Sequence, residues 1–411
     1  MKMNKHLVAG MAICLAATVG VGLSSCKKDE PTPVIVENPL DAEVYYIAGK
    51  VMAGNNALEG VKVTAANSEA TTAADGTFQL EMTSKNDYVV TFEKSGYVTV
   101  TAEASFPSDA KKQSVVSLVQ ELEEKNQPVT VTPDAGSTVI EAKRQMVELE
   151  FPAGAVKTAT DITVTAYKEG AKKSQAGTVR ASLSTVSCEP DGQTFEKPVI
   201  LRMKNPASNS VYFADVRHYV EKNGVWNETG TAGYNGNGYY MTTIDGFSNH
   251  SFGVPCSSQK GTSKTEDLAS VVIDNLGNMD SKEQAIDVTF HLGWKIDGTT
   301  SDLLKKQLAG LSDSDVTALS GAVESSLASL LGGTQSVGEM TLKRDARVSG
   351  DMKATVSMIE KTTTTVFGFP VVFGGQTVAL TIPVVKYEGV DLVVTTEKGA
   401  SHGSHSGGSG E

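Results

Sequence analysis

Cysteine is scarce in this chain, which has only four cysteines in 411 residues. Cys14 and Cys26 lie near the amino terminus, so only Cys188 and Cys256 remain for the body of the protein. This number excludes a disulfide-rich scaffold and a metal site built from a cysteine cluster. An exported location would permit a disulfide between Cys188 and Cys256. Sequence separation says nothing about their geometry, so this bond stays an open possibility.

Recognisable catalytic motifs are also missing. The sequence has no nucleophile elbow, phosphate loop, zinc-type histidine pair on a helix or marked pair of carboxylates. Asp313 and Asp315 lack the rest of a calcium loop and are better explained as helix caps. His402 and His405 lie in the tail 398–411, whose glycine and serine content predicts disorder. We therefore expect no enzyme, no metal and no cofactor, with self-cleavage as one exception. Carboxylates that are distant in the sequence can converge in a fold, so a hydrolase stays an open alternative.

Basic residues are fewer than acidic ones, with 36 Lys and Arg against 48 Asp and Glu, so the chain has a formal net charge of −12. Residues 1–25 contain two lysines and no acidic residue, so their removal would lower the net charge to −14. An acidic chain argues against nucleic acid or a bare anionic membrane as the partner.

The amino terminus has the pattern of a secretion signal. Lys2 and Lys5 precede an apolar run of about 15 residues, shorter than the roughly 20 residues of a membrane-spanning helix. The run ends in small residues before Cys26, and this segment resembles the bacterial lipobox, although Ser25 departs slightly from the commonest Gly or Ala. The resemblance implies that residues 1–25 are removed and that Cys26 carries a lipid that anchors the chain to a membrane. The alternative is an ordinary secreted protein with an unmodified cysteine.

The residues after Cys26 resemble an export signal. In certain Gram-negative bacteria, a lysine followed by acidic residues sends lipoproteins to the outer face of the outer membrane. The corresponding residues here are Lys28, Asp29 and Glu30. The resemblance implies an outer-membrane lipoprotein on the extracellular side. The alternative is a solvated linker that carries no sorting signal. The proline-containing segment 26–42 then predicts a stiff tether.

The first block of the body, residues 43–106, predicts a small β-sandwich. Apolar residues alternate with polar ones, as at Phe78, Leu80 and Met82, and glycine-containing turns separate the runs. The block resembles the carboxypeptidase regulatory-like domain, a transthyretin-like sandwich, which implies a spacer or docking module without catalysis. The resemblance is carried by "AGKV" at Ala48–Val51, "LEGVKV" at Leu58–Val63, "TTAADGTFQL" at Thr71–Leu80 and "YVVTFEKSGY" at Tyr88–Tyr97. Residues 107–128 form a connector, with a helical tendency at Leu118–Pro128.

The second block, residues 129–255, predicts another β domain. In order, it has "FPAGAV" from Phe151, "PDGQTFEKPV" from Pro190, a strand with Trp226 and a final "FS" at Phe247. This order resembles the ZU-five-like domain.

Some ZU-five-like domains cut themselves at a His-Phe-Ser stretch. The corresponding bond here would join Phe247 to Ser248, with Gly246 at the histidine position. His250 could act as the base instead, because residues two apart on a strand point to the same side. The alternative is a terminal strand with a buried phenylalanine and a satisfied surface histidine.

The third block, residues 264–397, resembles no particular family. Helical spacing predicts helices over Thr265–Gly277 and Ser312–Gly333, the second with a capping serine and terminal glycines. Alternation over Ile286–Trp294, and again after Thr341, predicts strands. The whole chain is therefore expected to be mainly β, with tandem β-sandwich domains followed by a carboxy-terminal α+β domain.

Two functions fit these features. The first is a lipid-anchored, non-catalytic binding or adhesion protein for a glycan, or for an envelope or host protein. The second is membrane insertion, because Thr362–Gly389 is apolar, low in charge and long enough for membrane strands of about 9 to 11 residues. The same stretch also fits a buried hairpin in a folded domain.

Overall fold

The computed structural model describes residues 43–108, 110, 114–170, 177–222, 224–273, 284–332, 336–346 and 352–398. The described residues confirm the expected fold class, since they are mainly β with four sheets and two helices. The predicted anchor Cys26, the export residues Lys28, Asp29 and Glu30, and the tail from residue 399 onward lie outside the described residues.

Two four-stranded sheets form the first part of the described chain. Alternate residues such as Val63, Leu80 and Phe92 are almost completely buried and build one hydrophobic core. The first sheet contains β1 (Tyr45–Ala53), β2 (Asn56–Ala57), β5 (Thr77–Met82) and β8 (Val115–Glu121). The second contains β3 (Lys62–Ala65), β4 (Ser68–Thr71), β6 (Asp87–Glu93) and β7 (Val100–Ser105).

The helical tendency predicted for Leu118–Pro128 is wrong, because β8 is a strand that pairs in parallel with β1 over Tyr46–Met52. Three valines favour an extended conformation here, and both Leu118 and Leu122 are buried in the core. Burial against the sheet therefore outweighs the local helix propensity of the glutamates. The first sheet accordingly includes part of the predicted connector.

The third sheet has five strands and pairs in the order β10-β11-β14-β19-β18. Its strands are β10 (Ser137–Ile140), β11 (Val147–Phe151), β14 (Thr194–Lys204), β18 (Gly233–Tyr234) and β19 (Tyr239–Gly246).

The fourth sheet has eleven strands, in the main order β22-β21-β24-β23-β20-β13-β12-β9. Further strands attach beside this path: β15 pairs with β23, β16 with β20, and β17 with β16. The strands are β9 (Val129–Val131), β12 (Thr160–Tyr167), β13 (Gly177–Glu189), β15 (Val211–Phe213), β16 (Arg217–Lys222), β17 (Val225–Thr231), β20 (Asn249–Ile273), β21 (Gln284–Ile296), β22 (Ser336–Ala346), β23 (Met352–Phe373) and β24 (Gln376–Lys398).

Strand β20 crosses the predicted boundary between residues 255 and 264 without a break. Residues of both predicted blocks, such as Leu149, Phe252 and Phe369, belong to one hydrophobic core. The helix predicted over Thr265–Gly277 is wrong up to Ile273, because β20 pairs with β23 there. The β-branched residues at 271–273 favour the strand, and cross-strand pairing outweighs the helical spacing of the apolar residues.

Two helices complete the described chain, α1 (Thr300–Gln307) and α2 (Asp313–Leu331). The helix predicted over Ser312–Gly333 is confirmed, since Ser312 accepts a hydrogen bond from the Asp315 amide and Gly332 follows the last turn with φ of 78°. Its buried residues recur at helical spacing, as at Leu319, Val323 and Leu327. In the part of the chain that the structure describes, neither helix is long and apolar enough to span a bilayer.

A close approach between β1 and β8 generates a first prediction. A Cβ atom at Gly49 would lie 1.8 Å from the carbonyl oxygen of Leu118, so the paired backbones leave no space for a side chain. Gly49→Ala should lower the free energy of unfolding by about 2 to 4 kcal/mol, as measured by urea titration.

The matched control is Gly321→Ala. A Cβ atom at this position of α2 meets nothing within 4 Å, so the change should raise stability by about 0.5 to 1 kcal/mol. Equal effects of the two substitutions would contradict the tight contact between β1 and β8.

Candidate functional site

Three neighbouring strands of the fourth sheet are unusually long. Strands β20, β23 and β24 have 25, 22 and 23 residues. At about 3.3 Å per residue each spans roughly 70 to 80 Å, whereas strands in globular proteins usually have about 5 to 6 residues. The stretch predicted for membrane insertion, Thr362–Gly389, contains the hairpin end of β23 and β24, and its Phe369 and Leu380 are buried in the core, as the alternative of a buried hairpin expects. The long strands continue beyond it, and we call residues 266–273, 352–360 and 390–398 the three-strand extension.

The register of the extension aligns apolar positions across all three strands. Alternate positions of a strand share one face of the sheet, so the register defines rows of positions. Three of these rows lie on one face: Ala269–Met358–Leu392, Val271–Val356–Val394 and Ile273–Ala354–Thr396. Every position in them carries an apolar residue except Thr396, and we call them the apolar rows.

The intervening rows are mainly polar. Ser270, Ser357 and Val393 form one of them, and Val272, Thr355 and Thr395 form the next. The two faces of the extension therefore differ in polarity over residues 354–358 of β23 and their partners. The next row on the apolar side, Glu266–Glu360–Val390, carries two glutamates.

Both outer strands of the extension have one strand neighbour within the described residues. Beyond Ser258, β20 pairs only with β23, and beyond Tyr387, β24 pairs only with β23. Strand β21 meets β24 over Gly293–Ile296 and otherwise pairs with β22. Unpaired strand edges present backbone donors and acceptors that can pair with another chain.

A buried polar cluster lies where β20 begins, on the face that includes Ser251. The side chain of Glu169 is 2% exposed and accepts hydrogen bonds from both terminal nitrogens of Arg180, at 2.9 and 2.5 Å. Arg180 also donates to Ser251, and Thr185 donates to Glu169. The Arg180 guanidinium carbon lies 4.7 Å from the ring centre of Tyr219 and 4.9 Å from that of Trp226. Two aromatic rings and a carboxylate thus hold this cation.

A histidine pair joins β16 to β20. His218 and His250 are 3% and 2% exposed, and Nε2 of His218 lies 3.1 Å from Nδ1 of His250. The ring centroids are 5.2 Å apart with nearly parallel planes, and Thr229 Oγ1 lies 2.6 Å from Nδ1 of His218. Burial lowers the pKa of His218 to about 4, and burial with the neighbouring His218 lowers the pKa of His250 to about 3. Both rings are therefore neutral at pH 7.

In the structure, Ser248 and His250 of the predicted self-cleavage site form hydrogen bonds with other residues and not with each other. The Ser248 hydroxyl donates to the carbonyl oxygen of Glu221 at 2.9 Å, whereas His250 contacts His218. Phe247 is buried and packs edge to face against Phe195. The buried Phe247 agrees with the alternative of a terminal strand, whereas His250 is buried with its Nε2 unpartnered and is not a satisfied surface histidine. Self-cleavage stays a prediction. The partnership of His218 with His250 had no signal in the sequence, because 32 residues separate them.

The possible disulfide between Cys188 and Cys256 is not formed. Cys256 pairs with Val179 across the β13–β20 ladder, nine residues along β13 from Cys188. This separation corresponds to about 30 Å, far beyond the reach of a disulfide. Burial raises the pKa of the Cys188 thiol well above its ordinary value.

The described residues contain no group of three or more His, Cys, Asp or Glu side chains placed to hold a metal ion.

No protein-family model and no curated protein sequence matches this chain. Among solved structures, it is similar to a candidate pore-forming toxin from Bacteroides vulgatus, with 8% identity, 88% of this chain and 94% of that chain covered, and a TM-score of 0.29. A candidate membrane-associated protein of unknown function from Bacteroides fragilis has 9% identity, coverages of 86% and 98%, and a TM-score of 0.32. An aerolysin-like protein from Bombina maxima has 14% identity, coverages of 34% and 92%, and a TM-score of 0.18.

The buried pair of Glu169 and Arg180 generates a second prediction. Glu169→Gln removes the negative charge and leaves a cation whose side chain is only 12% exposed. The free energy of unfolding should fall by about 3 to 5 kcal/mol in a urea titration.

Glu228→Gln is the matched control, because Glu228 pairs with Arg217 while their side chains are 42% and 34% exposed. Its effect should stay within about 1 kcal/mol. If the two glutamine variants are equally stable, the buried pair is not the stabilising contact described here.

Proposed function

We propose that this chain is an envelope-anchored protein that inserts the three-strand extension into a lipid bilayer and, with further copies, lines a pore with strands. The observation that carries this proposal is the alignment of the apolar rows across three strands that continue far beyond ordinary strand length.

The length of the strands supports insertion. Strands β20, β23 and β24 have 25, 22 and 23 residues. A tilted membrane strand needs about 9 to 11 residues, so each of the three is long enough to cross a hydrocarbon core and still reach into the body.

The alternation of polarity supports insertion as well. Membrane strands have one row facing lipid and one row facing water. The apolar rows supply the first, and the rows containing Ser357 and Thr355 supply the second.

The strand edges require partners in a membrane. Each unpaired backbone group is costly in hydrocarbon, where no water can satisfy it. Because β20 and β24 each have one described strand neighbour in the extension, the open edges would be satisfied by strands of further copies. Self-association is therefore part of the proposal.

A binding role is the second candidate function, with a glycan or an envelope protein as ligand. Tyr212 and Tyr234 are partly exposed and stack with ring centroids 4.2 Å apart. The Tyr234 hydroxyl donates to Asn209 at 2.7 Å. Aromatic faces beside amide groups are suited to adaptable contacts with polar ligands, and such binding could precede insertion.

The proposed lipid anchor generates a third prediction. Cys26→Ala should move most of the protein from the membrane fraction to the soluble fraction and abolish labelling by radioactive palmitate. Cys14→Ala is the matched control, because this cysteine lies within the predicted signal and should leave both unchanged. Retention of Cys26→Ala in the membrane, with its lipid label, would refute the anchor.

The surface location can be tested in the same cells. Protease treatment of intact cells should release peptides of the body from the wild-type chain. Replacing Lys28, Asp29 and Glu30 by alanine should protect the chain until the outer membrane is broken. Protection of the wild-type chain itself would place it on the periplasmic side.

Pore formation generates a fourth prediction. The mature chain should release a trapped dye from phosphatidylcholine vesicles. Val356→Arg introduces a charge into the apolar rows, and a cost of about 2 to 4 kcal/mol at mid-membrane should reduce the rate of release about tenfold or more.

Ser357→Arg is the matched control, since the same charge enters the neighbouring polar row and should change the rate by less than about twofold. Equal loss in both variants would mean that the apolar rows do not face lipid. No release by the wild-type chain at either pH 7.5 or pH 5.0 would reject the pore.

A further inference from the structure

The histidine pair lies at a junction of the long strand β20. Strand β16 pairs with β20 at only four positions, Arg217–Val220, which face Gly253–His250. On its other edge, the same part of β20 pairs with β13 over a longer ladder. The short β16 ladder is therefore the weaker attachment, and His218 and His250 both lie within it.

The contact between the two rings can hold one proton, as a single hydrogen bond between a nitrogen of each ring. At 3.1 Å, the contact between Nε2 of His218 and Nδ1 of His250 fits one nitrogen that donates and one that accepts. In two imidazolium rings every ring nitrogen would carry a hydrogen, so this contact would become a meeting of two donors and two like charges. Full protonation thus removes the bond between the rings and adds repulsion.

The outer nitrogen of His250 offers little compensation. Its Nε2 is buried without a hydrogen-bond partner, and the Gly246 backbone raises the pKa of this ring by less than burial and His218 lower it. On His218, Thr229 Oγ1 is the contact of Nδ1. A charged pair would therefore be mostly desolvated.

Within the described residues, the two rings form hydrogen bonds with each other and with Thr229, and neither ring contacts a carboxylate. The charged groups on the neighbouring strands make other contacts. On β16, the Glu221 carboxylate accepts from Asn249. Arg217 of β16 pairs with Glu228 of β17. Other ionisable groups are on β13, where Cys188 is a buried thiol and Arg180 pairs with Glu169, and on β16, where the Tyr219 hydroxyl donates to Glu228.

We propose that the His218–His250 pair is an acid-sensitive latch, which holds β16 on β20 at neutral pH and releases it when the rings take up protons. The step from release to faster insertion of β20 rests on the proposed function. The opening of the latch does not.

The direction of the pH effect follows from the pKa values. In the unfolded or opened state, each ring has a pKa of about 6.5. In the closed state, burial lowers the values to about 4 for His218 and about 3 for His250. The opened state therefore binds more protons below pH 6.5, so the closed latch is fully favoured above this pH and loses stability as the pH falls towards 4.

Hydrogen exchange on the full mature chain tests the latch in solution. After correction for intrinsic rates, the amides of β16 that pair with β20 should exchange about tenfold faster or more at pH 5.0 than at pH 7.5. The amides of β11 and β14, which pair elsewhere, should change little and serve as the internal control. Unchanged protection of β16, or equal loss throughout the chain, would overturn the latch.

The double variant His218→Gln, His250→Gln adds an independent check, because glutamine can hydrogen-bond but does not titrate in this range. If it folds at pH 7.5, its β16 amides should show no acid-specific gain in exchange. A gain equal to that of the wild-type chain would overturn the role of the histidines. If the variant does not fold, the wild-type exchange experiment alone decides.

Dye release separates the latch from the pore. Acid should accelerate release from phosphatidylcholine vesicles by the wild-type chain but not by the double variant. Acid opening without release at any pH would reject the pore and leave the latch standing. Release without acid opening in the exchange experiment would support the pore and overturn the latch.

Discussion

The antiparallel ladder of β20, β23 and β24 is the constraint on which the rest of the structure depends. Near the hairpin end, buried residues such as Phe252, Phe369 and Leu380 fix the register by their place in the core. A shift by one residue would move each of them to the opposite face of the sheet. The ladder then continues into the extension with only a few bulges. The core of the body therefore determines which residues meet in the apolar rows.

The same strand connects two buried polar groups at its start. Ser251 belongs to the cluster of Arg180 and Glu169, whereas its neighbour His250 points to the opposite face and bonds His218. Buried polar groups contribute little net stability when compared with apolar residues of the same shape, but each is costly once its partner is lost. They therefore penalise alternative pairings of β20 more strongly than they stabilise the observed one. One of them, the histidine pair, loses stability relative to exposed rings as the pH falls below about 6.5, which gives this junction a pH dependence that an apolar contact would lack.

The sequence could predict those parts of the structure that are determined locally. Alternation at Phe78, Leu80 and Met82 predicts a strand, and the capping serine and glycines predict α2, because caps and periodicity act within a few residues. The helix predicted over Thr265–Gly277 was wrong because apolar residues at helical spacing also suit a strand. The partner of that strand, β23, lies about 90 residues further along the chain. The histidine pair could not be predicted from the sequence for the same reason, because the two rings meet only after β16 and β20 have paired. The alignment of the apolar rows likewise needs the register, which no single strand contains.

The number of strands in the extension limits how copies can be arranged. Strand β23 is antiparallel to both neighbours, so β20 and β24 run in the same direction. Identical copies placed side by side around an axis along the strands would bring β24 of one copy next to β20 of the following copy, and these strands would meet in parallel. In a ring in which all neighbouring strands are antiparallel, each copy must contribute an even number of strands. Such an assembly must either recruit β21, which already runs antiparallel to β24 over a few residues, or exclude one of the three strands. Direction, a property of the backbone alone, thus restricts the stoichiometry of strands in any closed assembly.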